Sequence, residues 1–211
     1  MCPPEQRDLV GLSSRLSDEV GLVSRLVARD EAAFNSLVRA YERRIFVLLV
    51  RLTGSRAEAE DLAQEVFVQV FKAIGSFRHE SKLSTWIYRI AINLSKNRSK
   101  YLRVRQAAKH EQLEGLDEGA SPEARSASTQ PIDWPDRVVE GRQLEKVVRE
   151  AILALDPAFR ECLVLRDVED MSYEEIGAIT GLAEGTVKSR IHRARAQLKG
   201  LVEQALGERI S

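Results

Sequence analysis

The stretch MSYEEIGAITGLAEGTVKSRIHRARAQLK, Met171 to Lys199, decides how this chain is read. It opens on Ser172-Tyr173-Glu174-Glu175, a serine followed three residues later by glutamate, which caps a helix start reciprocally. Ile176 and Ile179 then face a core. Thr180-Gly181-Leu182 breaks the period and a new helix starts around Gly185-Thr186, so a short turn sets two helices at a steep angle, with Leu182 plugging the corner. In the second helix Val187, Ile191, Ala194 and Leu198 recur at i, i+4, i+7 and i+11 and pack inward. Geometry leaves Ser189, His192 and Arg193 on the opposite face, flanked by Lys188, Arg195 and Lys199 on one side and Thr186 and Arg190 on the other. Small polar side chains among cations suit a DNA major groove, where Arg and Lys reach guanine edges or phosphates and Ser or Thr reads either base type. A solvated basic face on an ordinary helical hairpin is the bland alternative, and the rest of the chain weighs against it.

At 211 residues, 44% hydrophobic and 30% charged, the composition is that of a soluble globular protein with one large or two small domains. The longest apolar run, Ile45 to Val50, is far too short to span a bilayer, and Met1-Cys2-Pro3-Pro4 leads into a charged segment without the apolar core of a signal peptide. The expectation is a cytoplasmic protein with no membrane insertion. Cys2 and Cys162 give neither a disulfide framework nor a zinc site, and Cys162 reads as a small core residue. His79, His110 and His192 share no ligand spacing, and the strings HExxH, GxSxG and GxxxxGK[ST] are absent. No catalytic residue, metal site or cofactor is expected, and the chain is read as a non-enzyme.

Net charge is zero, yet the charge is segregated. From Trp86 to Lys109 there are Arg89, Lys96, Arg98, Lys100, Arg103, Arg105 and Lys109 without one acid. Glu58, Glu60, Asp61 and Glu65 gather in one helix, and Glu111, Glu114, Asp117, Glu118, Glu123, Asp133 and Asp136 in a later segment. Such segregation points to two DNA-facing surfaces and a separate surface for a protein partner.

Helical periods dominate, so the fold class is all-α: two small helical domains joined by a flexible linker. Residues 1–16 form an N-terminal tail and 17–106 the first domain. Its helices are expected from Ser17 or Asp18 to Ala28, from Glu31 to about Thr53, from Arg56 to Ile74 and from about Leu83 to Arg105, with a polar loop from Gly75 to Ser81. Residues 107–136 form the linker, marked between Gly115 and Pro135 by Gly119, Ser121-Pro122, Ser126, Ser128-Thr129 and Pro131. The second domain spans 137–206, with Asp156-Pro157 starting one of its helices, and 207–211 form a C-terminal tail.

The third helix buries Leu62, Val66, Val70 and Ile74 and leaves Glu58, Asp61, Gln64 and Glu65 largely on another face. Acids near a helix N-terminus favour its dipole, so a solvated face is a strong alternative to a partner surface. In the fourth helix Leu83, Ile87, Ile90 and Leu94 form the buried stripe, Trp86, Asn93 and Asn97 align along one flank, and Tyr88, Arg89 and Lys96 point outward. Rings beside cations and amides suit single-stranded bases, although a ring at helical spacing is more often plain packing.

Taken together, Asp61-Leu62-Ala63-Gln64-Glu65-Val66-Phe67, Ser76-Phe77-Arg78, Ser84-Thr85-Trp86-Ile87-Tyr88-Arg89-Ile90-Ala91-Ile92-Asn93, Ser172-Tyr173-Glu174-Glu175-Ile176 and Gly185-Thr186-Val187-Lys188-Ser189-Arg190 closely resemble the bacterial extracytoplasmic-function (ECF, group 4) RNA polymerase sigma factors of the sigma-70 superfamily, RpoE-like. The resemblance covers roughly 25–106 and 137–205, in matching order and spacing. It implies a sigma region 2 domain for core polymerase and the −10 element, and a sigma region 4 domain whose helix-turn-helix takes the −35 element. It also implies a factor that directs promoter-specific initiation in an envelope or stress regulon.

By that resemblance Asp61, Gln64 and Glu65 meet the β′ clamp of core RNA polymerase, with the β subunit a further contact. Phe77, Arg78, His79 and Ser81 cradle a flipped −10 base, and Trp86, Tyr88, Arg89, Asn93 and Asn97 assist melting and strand capture. Arg166, Tyr173, Glu174, Thr186, Lys188, Ser189, His192, Arg193 and Arg195 meet the −35 duplex. Partners implied are core polymerase, promoter DNA and an anti-sigma factor, with a cytoplasmic location, nucleoid-associated when active and open to tethering at the inner membrane by the anti-sigma protein. His79 departs from the family, which often has glycine there. The rival reading is a stand-alone helix-turn-helix transcription regulator, which would bind a promoter without polymerase.

Overall fold

A computed structural model describes residues 18–113 and 139–210, with side-chain surroundings for 18–105 and 144–207. The N-terminal tail and residues 114–136 of the expected linker lie outside the described residues. Every described element is helical: α1 (18–27), α2 (Glu31–Thr53), α3 (Arg56–Ala73), a 3-10 turn (Ile74–Ser76), α4 (Leu83–Leu113), α5 (Val139–Ala154), α6 (Pro157–Asp167), α7 (Tyr173–Thr180) and α8 (Glu184–Ile210).

Local chemistry accounts for the boundaries. The Asp30 carboxylate accepts the amides of Ala32 (2.8 Å) and Ala33 (3.2 Å) and starts α2. These amides, after the larger contribution of the Arg25 guanidinium, hold its carboxyl below the usual range. Gly54 ends α2 at φ 76°, a left-handed cap that glycine adopts without a Cβ penalty. Ser55 accepts the Glu58 amide at the start of α3, and Asp156 accepts the Ala158 amide ahead of Pro157 at the start of α6.

Two helices outrun their sequence-based limits. α4 continues eight residues past Arg105 to Leu113, because nothing after Arg105 breaks a helix before Gly115. α8 runs to Ile210, through the segment expected as a tail, since Leu201, Val202 and Ala205 continue a half-buried stripe.

α2 packs along α3, and both flank α4, around a core that includes Leu37, Ile45, Leu48, Leu62, Val66, Val70, Ile87 and Ile92. In the second half α6 and α8 pair, with α5 across α8 and α7 against both. The two halves are not separate bodies. Val164, Leu165, Met171, Ile176, Ile179, Val187 and Ile191 belong to the same buried cluster as the first domain's core. α7 lies on α4, while α5 and α6 reach α2.

Polar groups seal this junction. The Tyr88 hydroxyl donates to Glu169 at 2.6 Å, and Lys82 Nζ lies 2.7 Å from Glu175 Oε1. Lys96 Nζ lies 2.8 Å from Glu161 Oε1. Arg160 donates to the Leu52 carbonyl across the junction at 2.6 Å and to the carbonyls of Ile152, Leu153 and Leu155 within its own domain. Gly54 is pressed against the junction too: a Cβ there would stand 3.0 Å from Leu153 Cδ1.

Candidate nucleic-acid and polymerase interfaces

The helix-turn-helix forms as its residues require. Ser172 Oγ accepts the Glu175 amide at 3.1 Å while Glu175 Oε2 accepts the Ser172 amide at 2.9 Å, completing the reciprocal cap. Gly181 closes α7 at φ 75° and donates to the Gly177 carbonyl. Gly177 itself was not singled out from sequence, yet a Cβ there would come within 2.9 Å of the Leu182 carbonyl oxygen. The turn therefore needs glycine inside α7, a residue whose usual cost in a helix interior would be the only warning in sequence.

Val187, Ile191 and Ala194 are buried and Leu198 is half-buried, so α8 presents Thr186, Lys188, Ser189, His192, Arg193 and Arg195 outward, all exposed. Part of this face is already organised. Tyr173 has the Arg166 guanidinium 5.0 Å from its ring centroid and Lys188 Nζ 5.3 Å from it. Arg166 is further fixed by donating to the Met171 carbonyl at 2.6 Å. Lys188 pairs with Glu184 at 2.7 Å, which raises its pKa, and Arg195 forks onto Asp167 with Nε 3.0 Å from Oδ2. Among the described residues His192 and Arg193 carry no ion pair. Glu174 is exposed one residue beyond Tyr173.

The first domain's loop also gathers its rings. Phe77 is half-buried, with the His79 ring 4.8 Å away and the Trp86 indole 5.4 Å away. His79 sits at φ 57°, the left-handed region that favours glycine, so the loop keeps a glycine-like bend although a side chain occupies it. Arg78 and His79 are exposed, Ser81 is half-buried, and Trp86 anchors the loop against the core. Asn93 and Asn97 are exposed farther along α4.

Two expectations on α4 change. Tyr88 does not point outward: it is 3% exposed, with its hydroxyl on Glu169 of the second domain. Burial first, then the Glu169 carboxylate, push its phenol far above the ordinary value, so it acts only as a neutral donor there. Arg89 is half-buried, and its Nε is enclosed without a hydrogen-bond partner. For Tyr88 the physical reason is that Glu169, in the turn after α6, meets a flank of α4 that the helical period alone assigns to solvent.

On α3, Asp61 and Gln64 are exposed, and Glu65 is half-buried with Arg98 Nη2 3.7 Å away. The same face continues through Val68, 48% exposed, and Phe71, 43% exposed. Phe71 is held edge-on to Phe34 at 5.1 Å, with the Arg29 guanidinium 4.3 Å from its centroid. Sequence reading missed these two residues. The signal was present, because the stripe Leu62, Val66, Val70, Ile74 leaves Val68 and Phe71 apolar and unassigned. An open groove of about 490 Å³ between α2 and α3, lined by Phe46, Phe67 and Gln64 among others, runs beside this face.

Among the described residues no cluster of three or more His, Cys, Asp or Glu side chains is placed to hold a metal ion, and no helix is long and apolar enough to cross a membrane. Cys162 is fully buried, and burial raises its thiol pKa.

Residues 37–107 match the family model described as Sigma-70 region 2, and residues 145–198 match Sigma-70, region 4. The chain is 35% identical over 187 residues to the RNA polymerase sigma-H factor of Pseudomonas aeruginosa, covering 89% of this chain and 95% of that one. It is 34% identical over 192 residues to the ECF RNA polymerase sigma-E factor of Escherichia coli K12, covering 91% and 97%. In fold it is similar to CnrH, solved in complex with the cytosolic domain of CnrY, at TM-score 0.61, 22% identity and coverage of 88% and 97%. The sigma factor RpoE of Bartonella quintana, solved with the anti-sigma factor NepR, gives TM-score 0.59, 23% identity and coverage of 81% and 96%. With two sigma-70 regions matched in order and relatives aligned over nine-tenths of its length, this chain belongs to the ECF group of sigma-70 family RNA polymerase sigma factors.

Proposed function

We propose that this protein joins core RNA polymerase and directs it to promoters, with α8 reading the −35 duplex and the 77–81 loop and α4 capturing the melted −10 strand. The observation that carries this reading is the pairing of two unlike nucleic-acid surfaces on one chain. α8 offers a groove-sized helix with exposed Thr186, Lys188, Ser189, His192 and Arg193, which suits direct readout of duplex DNA. Phe77, His79 and Trp86 form a ring cluster beside exposed Asn93 and Asn97, which suits a base taken out of the stack. Arg166 and Tyr173 brace the duplex-reading face, Glu174 borders it, and Arg195 supplies phosphate contact when Asp167 releases it.

Asp61, Gln64 and Glu65 form the contact to the polymerase β′ clamp, and Val68 and Phe71 extend it with apolar area. Phe71 supports this because, 43% exposed, it leaves on the order of 1 kcal/mol of burial that a partner can recover. The protein works in the cytoplasm at the nucleoid. Since two proteins of the same fold are solved with CnrY or the anti-sigma factor NepR, we also propose control by an anti-sigma factor that covers the polymerase-facing surface.

The test is run-off transcription with purified core polymerase on a genomic promoter library, with and without the protein. New start sites sharing −35 and −10 elements are expected. Promoter binding by the protein alone, with no new start sites, would instead mark a stand-alone regulator.

A further inference from the structure

α8 begins with an acid. Glu184 is its first residue, exposed, and from there to Glu203 the helix carries cations and no other carboxylate. An exposed acid at a helix start has an ordinary explanation in the helix dipole and in pairing with a lysine one turn on. This pair is held more closely than that explanation requires. Glu184 Oε1 stands 2.7 Å from Lys188 Nζ, whereas Lys146 with Glu150 and Lys199 with Glu203, four apart as well, stand at 3.8 and 3.7 Å. Lys188 is also held from a second side, its Nζ 5.3 Å from the centroid of the Tyr173 ring. That ring has the Arg166 guanidinium 5.0 Å from its centroid, and Arg166 is tied to the Met171 carbonyl. An exposed acceptor and an exposed donor are thus fixed side by side at the end of a recognition helix that meets base edges.

A DNA duplex gives a carboxylate little to bind. Phosphate oxygens repel it, and of the base edges in the major groove only the amino groups on cytosine N4 and adenine N6 donate. In a G·C pair the cytosine amino group lies beside guanine O6, the two hydrogen-bonded to each other about 2.9 Å apart. A protein donor and acceptor 2.7 Å apart match that edge group for group. A T·A pair also sets an acceptor beside a donor, but it presents a methyl group where guanine presents N7 as a second acceptor for lysine.

We propose that Glu184 is a specificity-determining residue of α8, forming with Lys188 a dyad that reads one G·C pair of the −35 element. Lys188 donates to guanine O6 and N7, and Glu184 accepts the cytosine N4 hydrogen that base pairing leaves free. The inference rests on the assignment of α8 to the −35 duplex.

The test uses the full chain in a holoenzyme with core polymerase. The probe is a pool of templates made from a promoter found by run-off transcription, with the −35 element randomised and a transcribed barcode on each template. Sequencing the transcripts gives the base preference at every position. Expected for Glu184→Gln is an about tenfold loss of preference for G·C at one position, with adenine admitted where cytosine was required, since an amide can also donate. Yield from templates lacking G·C there rises, because the charge that opposed them is gone. Lys188→Ala relaxes the same position. Glu203→Gln, which removes an acid farther along the same helix, leaves the profile unchanged.

A Glu184→Gln profile identical to wild type, or an even fall in yield on all templates, would reduce the pair to a helix brace and overturn the inference. A Lys188→Ala effect at a different position, or spread evenly over all of them, would overturn the dyad. A wild-type holoenzyme indifferent to every randomised position would remove the −35 assignment itself, an outcome visible before any variant is made.

Discussion

α8 and α4 carry the same ingredients, cations with small polar or aromatic neighbours on one flank and an apolar stripe on the other, and they end in opposite states. α8 buries its stripe under α6 and α5 and keeps its polar flank in solvent. α4 buries its stripe under α2 and α3, then loses part of the polar flank to α7 and the Glu169 turn. A helical period therefore tells which side of a helix faces its own domain. It does not tell which of the remaining sides a second domain will take.

The comparison can be broken hardest at the α8 core. Ile191 is 2% exposed, so Ile191→Ala should lower stability by about 2–5 kcal/mol, as for other buried large-to-alanine changes. Because Ile191 shares a cluster with the first domain, urea unfolding should stay a single transition. Two separate transitions would mean that the halves fold independently and that the shared core contributes little.

Lys188→Ala comes next. It should weaken binding to the −35 duplex about ten- to a hundredfold if the side chain reads a base, with the loss concentrated on promoters of one sequence. An even loss across sequences, with a shallower salt dependence, would assign Lys188 to phosphate. Tyr173 would then lose one of its two cationic neighbours without any change in sequence preference.

A smaller effect is expected at His79. His79→Gly relieves a left-handed backbone but adds unfolded-state freedom, so stability should move by no more than about 1 kcal/mol. The Phe77–His79 ring contact disappears, and the profile of start sites should shift at the −10 base. An unchanged −10 profile would show that the ring takes no part in base choice.

The smallest effects are those of pH, and they have opposite signs at two contacts across the junction. The Lys82 ammonium holds the Glu175 carboxyl below its ordinary value. That contribution is present above the unfolded value of 4.5 and is lost as pH falls through the lower folded value. Burial raises the pKa of Glu161, so folding favours its neutral form, and that site costs stability as pH rises from 4.5 through its raised folded value. Denaturant titrations across the acid range should show Glu175→Gln losing stability at neutral pH relative to acid, and Glu161→Gln gaining it. The same sign for both would contradict the assignment of one as a surface pair and the other as a buried acid.

Much of the fold was legible because local chemistry decides it. The starts of α2, α3, α6 and α7 follow from Asp30, Ser55, Asp156 and Ser172, each a side chain that accepts an orphan amide two or three residues on. The inward stripes of α3 and α8 follow from a 3.6-residue period. Helix ends were less legible where no breaker stands, as after Arg105. In the candidate sites, the outward face of α8 could be read because its own domain accounts for every buried position. Tyr88 could not, since the partner of its hydroxyl, Glu169, lies 81 residues away in the chain. Val68 and Phe71 escaped because apolar residues are ordinarily assigned inward, and only packing shows that α3 already has a full stripe without them.

By itself the sequence determined an all-α chain with a helix-turn-helix, an acidic α3 face, a ring-bearing loop before a basic helix, and enough ordered motifs to name the sigma-70 family. Each of these rests on interactions within a few residues or on a short period. Tertiary structure alone decided that the two halves share one core, that Glu161, Glu169 and Glu175 meet Lys96, Tyr88 and Lys82, and that the outward face of α8 is open while Tyr88 on α4 is covered. Those outcomes depend on pairing surfaces far apart in the chain, whose complementarity no local pattern records.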